Sequence, residues 1–577
     1  MNERVAAARG TLHVTSKPGA GMTIEASLQT QDNALDRWAA ARTGPPTGLL
    51  ARARLFTSRN VVPYAAAVVI VAAVALVHSP AAAARGSGRT LIELRPMAHC
   101  DAAAMLQGAG ATTVSAALRL YRLDDRTAAR VLPSIRACRA LRFTEPDRVA
   151  GTLTVTDFSD PLVPTEWWRT AIGVADLAPP GPGKAVTIVD SGVDVFHPDF
   201  VGRPNLVMLN TQEPQPIGGV HGTAVASLIG APVNGVGIVG IYPEALLQSW
   251  DAARGEGTQL AASDVVAGIL AAASQGPGVI NLSLGGPQLD VSIQQAIATA
   301  VRKGMLIVAA AGNDGETGSP LTYPASLPHV LTVAATDEQN QVTSFSSRSR
   351  FVDLAAPGKD MTVANALDNS WAQKDGTSFA APLVSGAAAW VWTVRPDLDA
   401  SQLFEVMRRS ATDIGPAGPD DASGYGLLNF PAAIAYRAPV PDPFEPNDDI
   451  NYVKPGALYD TGVPPLTTRA TRSTTLTARL DTVKDPRDVY RVYIPARGRI
   501  TVTTRAAAAV TLTLWGPKTT SVLEQSPNRD RLARGVINST AETVTYTNTG
   551  TAKMGYLAVT LTKGTHDATY RIAVSAR

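Results

Sequence analysis

From residue 185 to about residue 436, short apolar runs alternate with helical stretches, and this alternation limits the fold more than any other feature of the chain. AVTIVDSG, ALLQSW, GVINLSLGG, GMLIVAAAG, HVLTVAAT and FVDLAAPG each end in a polar or glycine turn, and between them lie helical stretches such as ASDVVAGILAAASQ and VSIQQAIATAVRKG. Strands that are apolar on both faces must be covered on both, and strands separated by helices pair in parallel. The expected fold class is therefore α/β, a parallel sheet with helices on both faces. Ligands of such sheets bind outside the carboxyl ends of the strands. The distinctive polar residues sit there.

Different textures flank this region. Residues 85–149 read as strand, helix, strand, helix, strand (LIELRP, DAAAMLQGAG, TTVSAALRLYRL, DRTAARVLPSIRACRAL, RFTEPDRV), a small α+β module. After Tyr436 comes APVPDPFEPNDD, a Pro- and acid-rich stretch that reads as a linker over 437–455. Residues 456–577 carry alternating runs such as YRVYIP, RITVTT, VTLTLW and YLAVTLT, which predict an all-β sandwich of seven or eight strands. Every candidate catalytic residue lies before 437, so the 160–436 domain is expected to be complete without the sandwich.

Residues 61–77 are uncharged and apolar, follow Arg52, Arg54 and Arg59, and precede HSPAAAAR with small-residue cleavage sites after Ala83 or Ala84. Basic flank, short apolar run and A-x-A are the parts of a secretory signal peptide, assigned to 61–84. The run is shorter than the ~20 residues of a spanning helix. A secreted, extracellular protein follows; the competing reading is an uncleaved signal anchoring the protein at the membrane, facing outside. With a net charge of +2 there is no reason to expect nucleic acid as a partner, and membrane is one only if the signal stays uncleaved. Cys100 and Cys138 pair as a disulfide in an oxidising compartment and are two small buried residues otherwise, and both readings stand. Residues 3–28 resemble the end of a histidine-kinase ATP-binding domain, too short to bury a core or hold a nucleotide. Residues 1–60 accordingly read as a mis-set translation start or a relic.

Serine hydrolysis needs a hydroxyl nucleophile, an imidazole to take its proton and a carboxylate to orient the imidazole. Asp190 ends an apolar strand in AVTIVDSGVDVFHPDF; His221 opens a helix of small residues in GGVHGTAVASLIGA; Ser378 follows Gly376-Thr377 at the start of another in DGTSFAAPLVSGAAAWVW. A hydroxyl at a helix N-terminus lies near unpaired N–H groups that favour developing negative charge. Singly, each segment reads as an ordinary cap, turn or structural histidine. Together, in the order Asp, His, Ser, they match one of the known triad orders.

IVDSGVD, HGTAVAS and GTSFAAPLVSG resemble the three motifs of the subtilisin-like (S8) serine peptidases over about 160–436. The resemblance implies a serine endopeptidase with Asp190, His221 and Ser378 as triad and Asn313, in VAAAGNDG, as oxyanion donor. It implies an extended substrate along Ser283, Leu284 and Gly285, with Ala310, Ala311 and Gly312 as another pocket wall and Asp314 and Thr322 near the pocket floor. No cofactor is needed for catalysis. Asp199, Asn234 and the carbonyls of Pro232, Val236 and Ile238 match a calcium loop of the family, against the plain alternative of a metal-free glycine turn. Where the family motif reads HGTHVAG, this chain has Ala224 and Ser227. The 85–149 module resembles the inhibitory prosegment of secreted subtilisins, and FEPNDD with DPRDVYRVYIPARGRITV resembles a pre-peptidase C-terminal domain. The expected partners are protein or peptide substrates and the protein's own prosegment, and the chain is expected to be monomeric. A substrate-selective, membrane-anchored processing protease and an inactive binding module are the rival readings.

Overall fold

The computed structural model describes residues 11–17, 21–27, 86–95, 100–115, 119–148, 160–210, 220–253, 259–523, 530–535, 539–562 and 567–577. The signal segment expected at 61–84 lies outside them. The chain divides into two units, Met1–Leu153 and Thr154–Arg577.

In the first unit, β1 (Thr11–Lys17) and β2 (Gly21–Ser27) form an antiparallel hairpin. The module after them runs β3 (Gly86–Leu94), α1 (Ala102–Gly108), β4 (Thr112–Ser115), β5 (Leu120–Asp124), α2 (Asp125–Ala137) and β6 (Leu141–Arg148). Its antiparallel sheet has the order β4-β5-β3-β6. TTVSAALRLYRL, expected as one strand, is split into the β4–β5 hairpin, with Arg119 in the left-handed region at φ 51° where the chain reverses. Asp124 caps α2, its carboxylate accepting from the Thr127 N–H at 2.9 Å. Ile92, Leu106, Leu123 and Ile135 form the core, and Cys100 and Cys138 are joined by a disulfide from before α1 to the end of α2.

The second unit begins with α3 (Trp168–Ala171), β7 (Ala185–Asp190), β8 (Leu206–Met208), α4 (Val220–Gly230), β9 (Leu246–Asp251) and α5 (Ala262–Ser274). It continues through β10 (Val279–Leu282), α6 (Val291–Arg302), β11 (Leu306–Ala310), β12 (Val330–Thr336) and β13 (Leu354–Pro357). The hairpin β14 (Met361–Asn365) and β15 (Ser370–Lys374) leads into α7 (Thr377–Val394), followed by α8 (Ala400–Arg409) and α9 (Phe430–Ala435). The sheet is parallel throughout, in the order β13-β12-β11-β10-β7-β9-β8. One apolar layer holds α4 and α7 against it; the other holds α5 and α6. The expected α/β sheet covered on both faces is present. Strand order reverses between β10 and β7, the point at which sheets of this kind bind ligands outside the carboxyl ends of the strands.

Residues 437–455 do not form a free tether. Ile450, Tyr452 and Val453, within the short helix α10 (Ile450–Val453), are buried with Ala298 of α6. The apolar side chains of this acid-rich stretch give it a surface to pack. Beyond it lie β16 (Ser473–Leu480), β17 (Arg487–Ile494), β18 (Arg499–Trp515), β19 (Arg531–Arg534), β20 (Ser539–Thr547), β21 (Lys553–Leu561) and β22 (Ala568–Ala576). All pairings are antiparallel, and the long β18 serves two layers. Its first half pairs β20 and β22, and its second half pairs β19 and β21.

The sandwich is fastened to the α/β core by buried charges. Lys484 Nζ donates to the carbonyls of Ala325 (3.2 Å) and Val330 (2.9 Å) and lies 3.3 Å from the Asp353 carboxylate. Arg408 of α8 bonds Asp481 at 2.6 Å, and Arg479 lies 3.3 Å from Glu405. His329 reaches Asp448 at 3.0 Å. Val330 opens β12 and Asp353 immediately precedes β13, so this contact grips the amino ends of the strands.

Candidate active site

Asp190 is the last residue of β7 and is buried. Its Oδ1 accepts the Ser191 N–H at 2.7 Å, and His221 Nδ1 lies 2.8 Å from Oδ1 and 3.0 Å from Oδ2. The pairing depends on the glycine after His221. A Cβ at Gly222 would stand 2.1 Å from the Gly192 carbonyl oxygen, so only glycine lets α4 come this close to the β7 turn. Burial alone would lower the His221 pKa; the Asp190 carboxylate outweighs it and holds the imidazole above its ordinary value. With Nδ1 on the carboxylate, Nε2 is the ring nitrogen left to take a proton.

Ser378 occupies the first turn of α7. The ring of its neighbour Phe379 lies 5.8 Å from the His221 ring, which sets this turn beside the imidazole. The Ser378 hydroxyl donates to the Ser283 carbonyl at 3.1 Å, and the Ser283 hydroxyl donates back to the Ser378 carbonyl at 2.8 Å. Asn281 Nδ2 in turn donates to Ser283 Oγ, and Ser385 of α7 donates to Asn281 Oδ1. This polar chain pins the helix start to the end of β10.

Asn313 follows β11, and its Oδ1 accepts both the N–H and the hydroxyl of Thr377, each at 2.9 Å. The carbonyl end of the side chain is thereby occupied, and Nδ2 lies by Gly376, 3.4 Å from where a Cβ there would stand. Thr377 is a positioning residue that motif reading passed over, because a Thr before a helix reads as a cap. Asn281 and Ser385 were passed over as well, being ordinary polar residues 104 positions apart.

The candidate substrate residues divide in two. Ser283 is buried, Leu284 half-buried and Gly285 exposed, and Gly286 pairs reciprocally with Tyr323 at 3.0 and 2.8 Å. Ala310 and Ala311 are buried, and Gly312 adopts φ 107°. Thr322 is wedged between the two walls: added Cβ atoms at Gly285 and Gly312 would stand 2.8 Å from its methyl and 2.6 Å from its hydroxyl. Asp314 is exposed, its N–H donating to Ser347. Of the two residues expected near the floor, Thr322 is the one that touches both walls. Ala224 and Ser227, which depart from the family motif, are buried, and the Ser227 hydroxyl donates to the Ala224 carbonyl and accepts the Ala364 N–H.

In the candidate calcium loop, Asp199 Oδ2 accepts the Trp371 indole N–H at 2.6 Å, while Oδ1 is buried without a hydrogen-bond partner. Burial pushes the Asp199 carboxyl up to about 7 against that hydrogen bond, and Asp160 adds to the push. Asn234 uses Oδ1 for the Val236 N–H and Nδ2 for the Pro198 carbonyl, and Asp160 accepts the N–H groups of Asn234 and Gly235. An orphaned carboxylate oxygen beside a second carboxylate fits a cation.

The family model described as the subtilase family, peptidase S8, matches residues 181–426. Subtilisin amylosacchariticus of Bacillus subtilis subsp. amylosacchariticus is 35% identical over 257 residues, 44% of this chain and 66% of that protein, so the chain spans just under two-thirds of that relative. Subtilisin BL of Lederbergia lenta is 34% identical over 253 residues, 44% of this chain and 91% of that protein. Among solved structures, the S41 psychrophilic protease is similar at 28% identity with a TM-score of 0.40, covering 46% of this chain and 97% of its own. The chain belongs to the subtilase family of serine peptidases.

Proposed function

We propose that the protein is a secreted endopeptidase that hydrolyses proteins through an acyl-enzyme and is released from its proform by its own active site. The observation that carries this reading is the Asp190–His221 pair at 2.8 Å, set beside the α7 turn that bears Ser378. Rotation about Cα–Cβ turns the Ser378 hydroxyl from Ser283 to His221 Nε2, which takes its proton as Oγ attacks the scissile carbonyl. Asn313 Nδ2 and the Ser378 N–H stabilise the oxyanion, and the protonated imidazole then gives its proton to the leaving amine. Export is supported by the 61–84 pattern, and the prosegment role by the place of the 85–149 module between that pattern and the core. Asp199 and Asn234, with the Pro232, Val236 and Ile238 carbonyls, would hold a structural calcium that takes no part in the chemistry.

A fluorophosphonate probe tests the reading: it is expected to label the purified protein at Ser378 and to fail on His221→Ala. Equal labelling of both would remove His221 as the base. Hydrolysis needs the neutral imidazole, so the rate rises with pH through the His221 pKa, and its midpoint is expected above the ordinary value of 6.5. Asp190→Asn should lower the rate by about 10⁴.

The Thr322 wedge implies a shallow pocket, suited to small side chains on the acyl side of the cut. On peptide anilides, Thr322→Gly is expected to raise kcat/KM for Phe over Ala by roughly 10–200-fold, the range that one methylene of pocket space gives. An unchanged Phe-to-Ala ratio would show that this residue does not form the floor.

A further inference from the structure

Thr187 and Gln248 are polar residues at paired positions of β7 and β9, and both are more than nine-tenths buried. The Thr187 hydroxyl donates to Gln248 Oε1 at 2.8 Å, while Gln248 Nε2 has no hydrogen-bond partner among the described residues. Leaving a buried amide donor open costs stability. Gln248 lines a cavity of about 580 Å³ at the amino ends of β7, β9 and β10, a volume within the range of small-molecule sites. Lys184, immediately before β7, lines the same cavity, with its ammonium 4.6 Å from the centre of the Trp392 ring. Among the described residues around the cavity Lys184 is the one charged side chain, and none is acidic. Asp397, just past this wall, is held by Arg395 at 3.0 Å, so the Lys184 ammonium has no carboxylate partner among the described residues. The wall itself is firmly built. The Thr393 hydroxyl accepts the Lys184 N–H at 3.0 Å and donates to the Ala389 carbonyl, and the Tyr242 hydroxyl donates to the Gly181 carbonyl at 2.6 Å. A Cβ at Gly183 would stand 2.2 Å from Thr393 Oγ1, so the chain before β7 lies hard against the end of α7.

We propose that this cavity is a second peptide-binding site, at the opposite end of the sheet from the triad, that takes the free carboxylate end of a short peptide. Lys184 Nζ and Gln248 Nε2 supply two donors for the carboxylate oxygens. The last turns of α5 and α7 form part of the wall, and carbonyls there that lack intrahelical partners can accept from the peptide's N–H groups. Leu246, Ala272 and Met305 offer apolar surface to a side chain. A serine peptidase leaves such a carboxylate at every bond it cuts. The length of β7 puts the site roughly 20 Å from Asp190, so a dipeptide held there does not touch the triad. A cation near the end of α7 also favours the helix, a role that needs no ligand.

The test uses full-length Ser378→Ala protein, which cannot consume a peptide, titrated calorimetrically with N-acetyl-alanyl-leucine, its carboxamide and acetate. The acid is expected to bind saturably, and the carboxamide roughly 10–100-fold more weakly, the worth of a hydrogen bond to a charged group. Acetate should bind more weakly than the acid. Adding Lys184→Met, which keeps a stem over Trp392 and drops the ammonium, should weaken the acid by a similar factor. Gln248→Met should weaken it too, and Lys184→Arg should retain it. If Lys184→Met lowers the melting temperature but leaves binding unchanged, the lysine serves only α7 and the proposal is overturned. Binding that survives Lys184→Met and Gln248→Met lies elsewhere, the catalytic cleft included, and overturns it as well. So would equal affinity for acid and carboxamide, acetate binding as tightly as the acid, or no binding at all.

Discussion

Protein carrying Ser378→Ala is expected to fold and to accumulate as an uncut proform. Loss of the nucleophile should lower casein hydrolysis about 10⁶-fold, the loss seen when subtilisin itself is deprived of its serine. The substitution removes one oxygen at the surface of α7 and leaves its apolar face against the sheet. If the enzyme makes the cut between about 145 and 164 itself, as proposed, that cut needs the same groups as the cut of any other substrate. Asn313→Ala keeps the nucleophile and loses one oxyanion donor, roughly 10²–10³ in rate, so it should mature slowly. The measurement is the ratio of mature to uncut protein over time in a host without other exported proteases. Maturation of Ser378→Ala at the ordinary rate would assign the cut to another enzyme.

Lys484→Met is expected to destabilise the protein by about 3–5 kcal/mol, the cost of leaving a buried charge without its partner. The residue is 2% exposed and is the nearer of two cations on Asp353, at 3.3 Å against 3.5 Å for Arg408, and it supplies donors for the carbonyls of Ala325 and Val330. Replacing both ends, as Lys484→Met with Asp353→Leu, should recover much of the loss, because an apolar pair removes the stranded carboxylate. Urea unfolding of the two single variants and the double variant measures the coupling. Additive losses would show that the pair does not act as a unit. The same geometry predicts that a chain ending near 437 folds poorly, because it would uncover Ala298, Asp353 and Arg408 together. That outcome reverses the expectation of a self-sufficient 160–436 domain.

The signals that single out Asp190, His221 and Ser378 are local. Each reactive side chain lies within a few residues of the glycine or small residues that let it be placed, as Gly222 is beside His221. The parallel sheet was legible for a related reason: strands covered on both faces are apolar throughout. The fastening of the sandwich was not, because its partners are far apart in the chain. Arg408 and Asp481 are 73 residues apart, and Lys484 and Ala325 are 159 apart. Acid-rich composition in DPFEPNDD reads as a solvated linker, and the burial of Asp442, Glu445, Asn447 and Asp448, with Ile450, Tyr452 and Val453 after them, shows otherwise. Thr322 falls between the two extremes. Its place near the pocket follows from the family motif, but its wedge between Gly285 and Gly312 exists only in three dimensions.

A protease released among its own kind is continually offered as a meal to its neighbours, and its lifetime is set by how often it opens rather than by its equilibrium stability. The grip of Lys484, Arg408 and His329 on the amino ends of β12 and β13 bears on that lifetime. It leaves the opposite, catalytic ends of the strands free for substrate. Partial opening at the gripped amino ends would have to hydrate several charges at once before any strand came loose. Such an all-or-none barrier filters out the small breathing motions that expose cleavable loops. The same enzyme can then keep an accommodating cleft at one end of the sheet and a digestion-resistant body at the other.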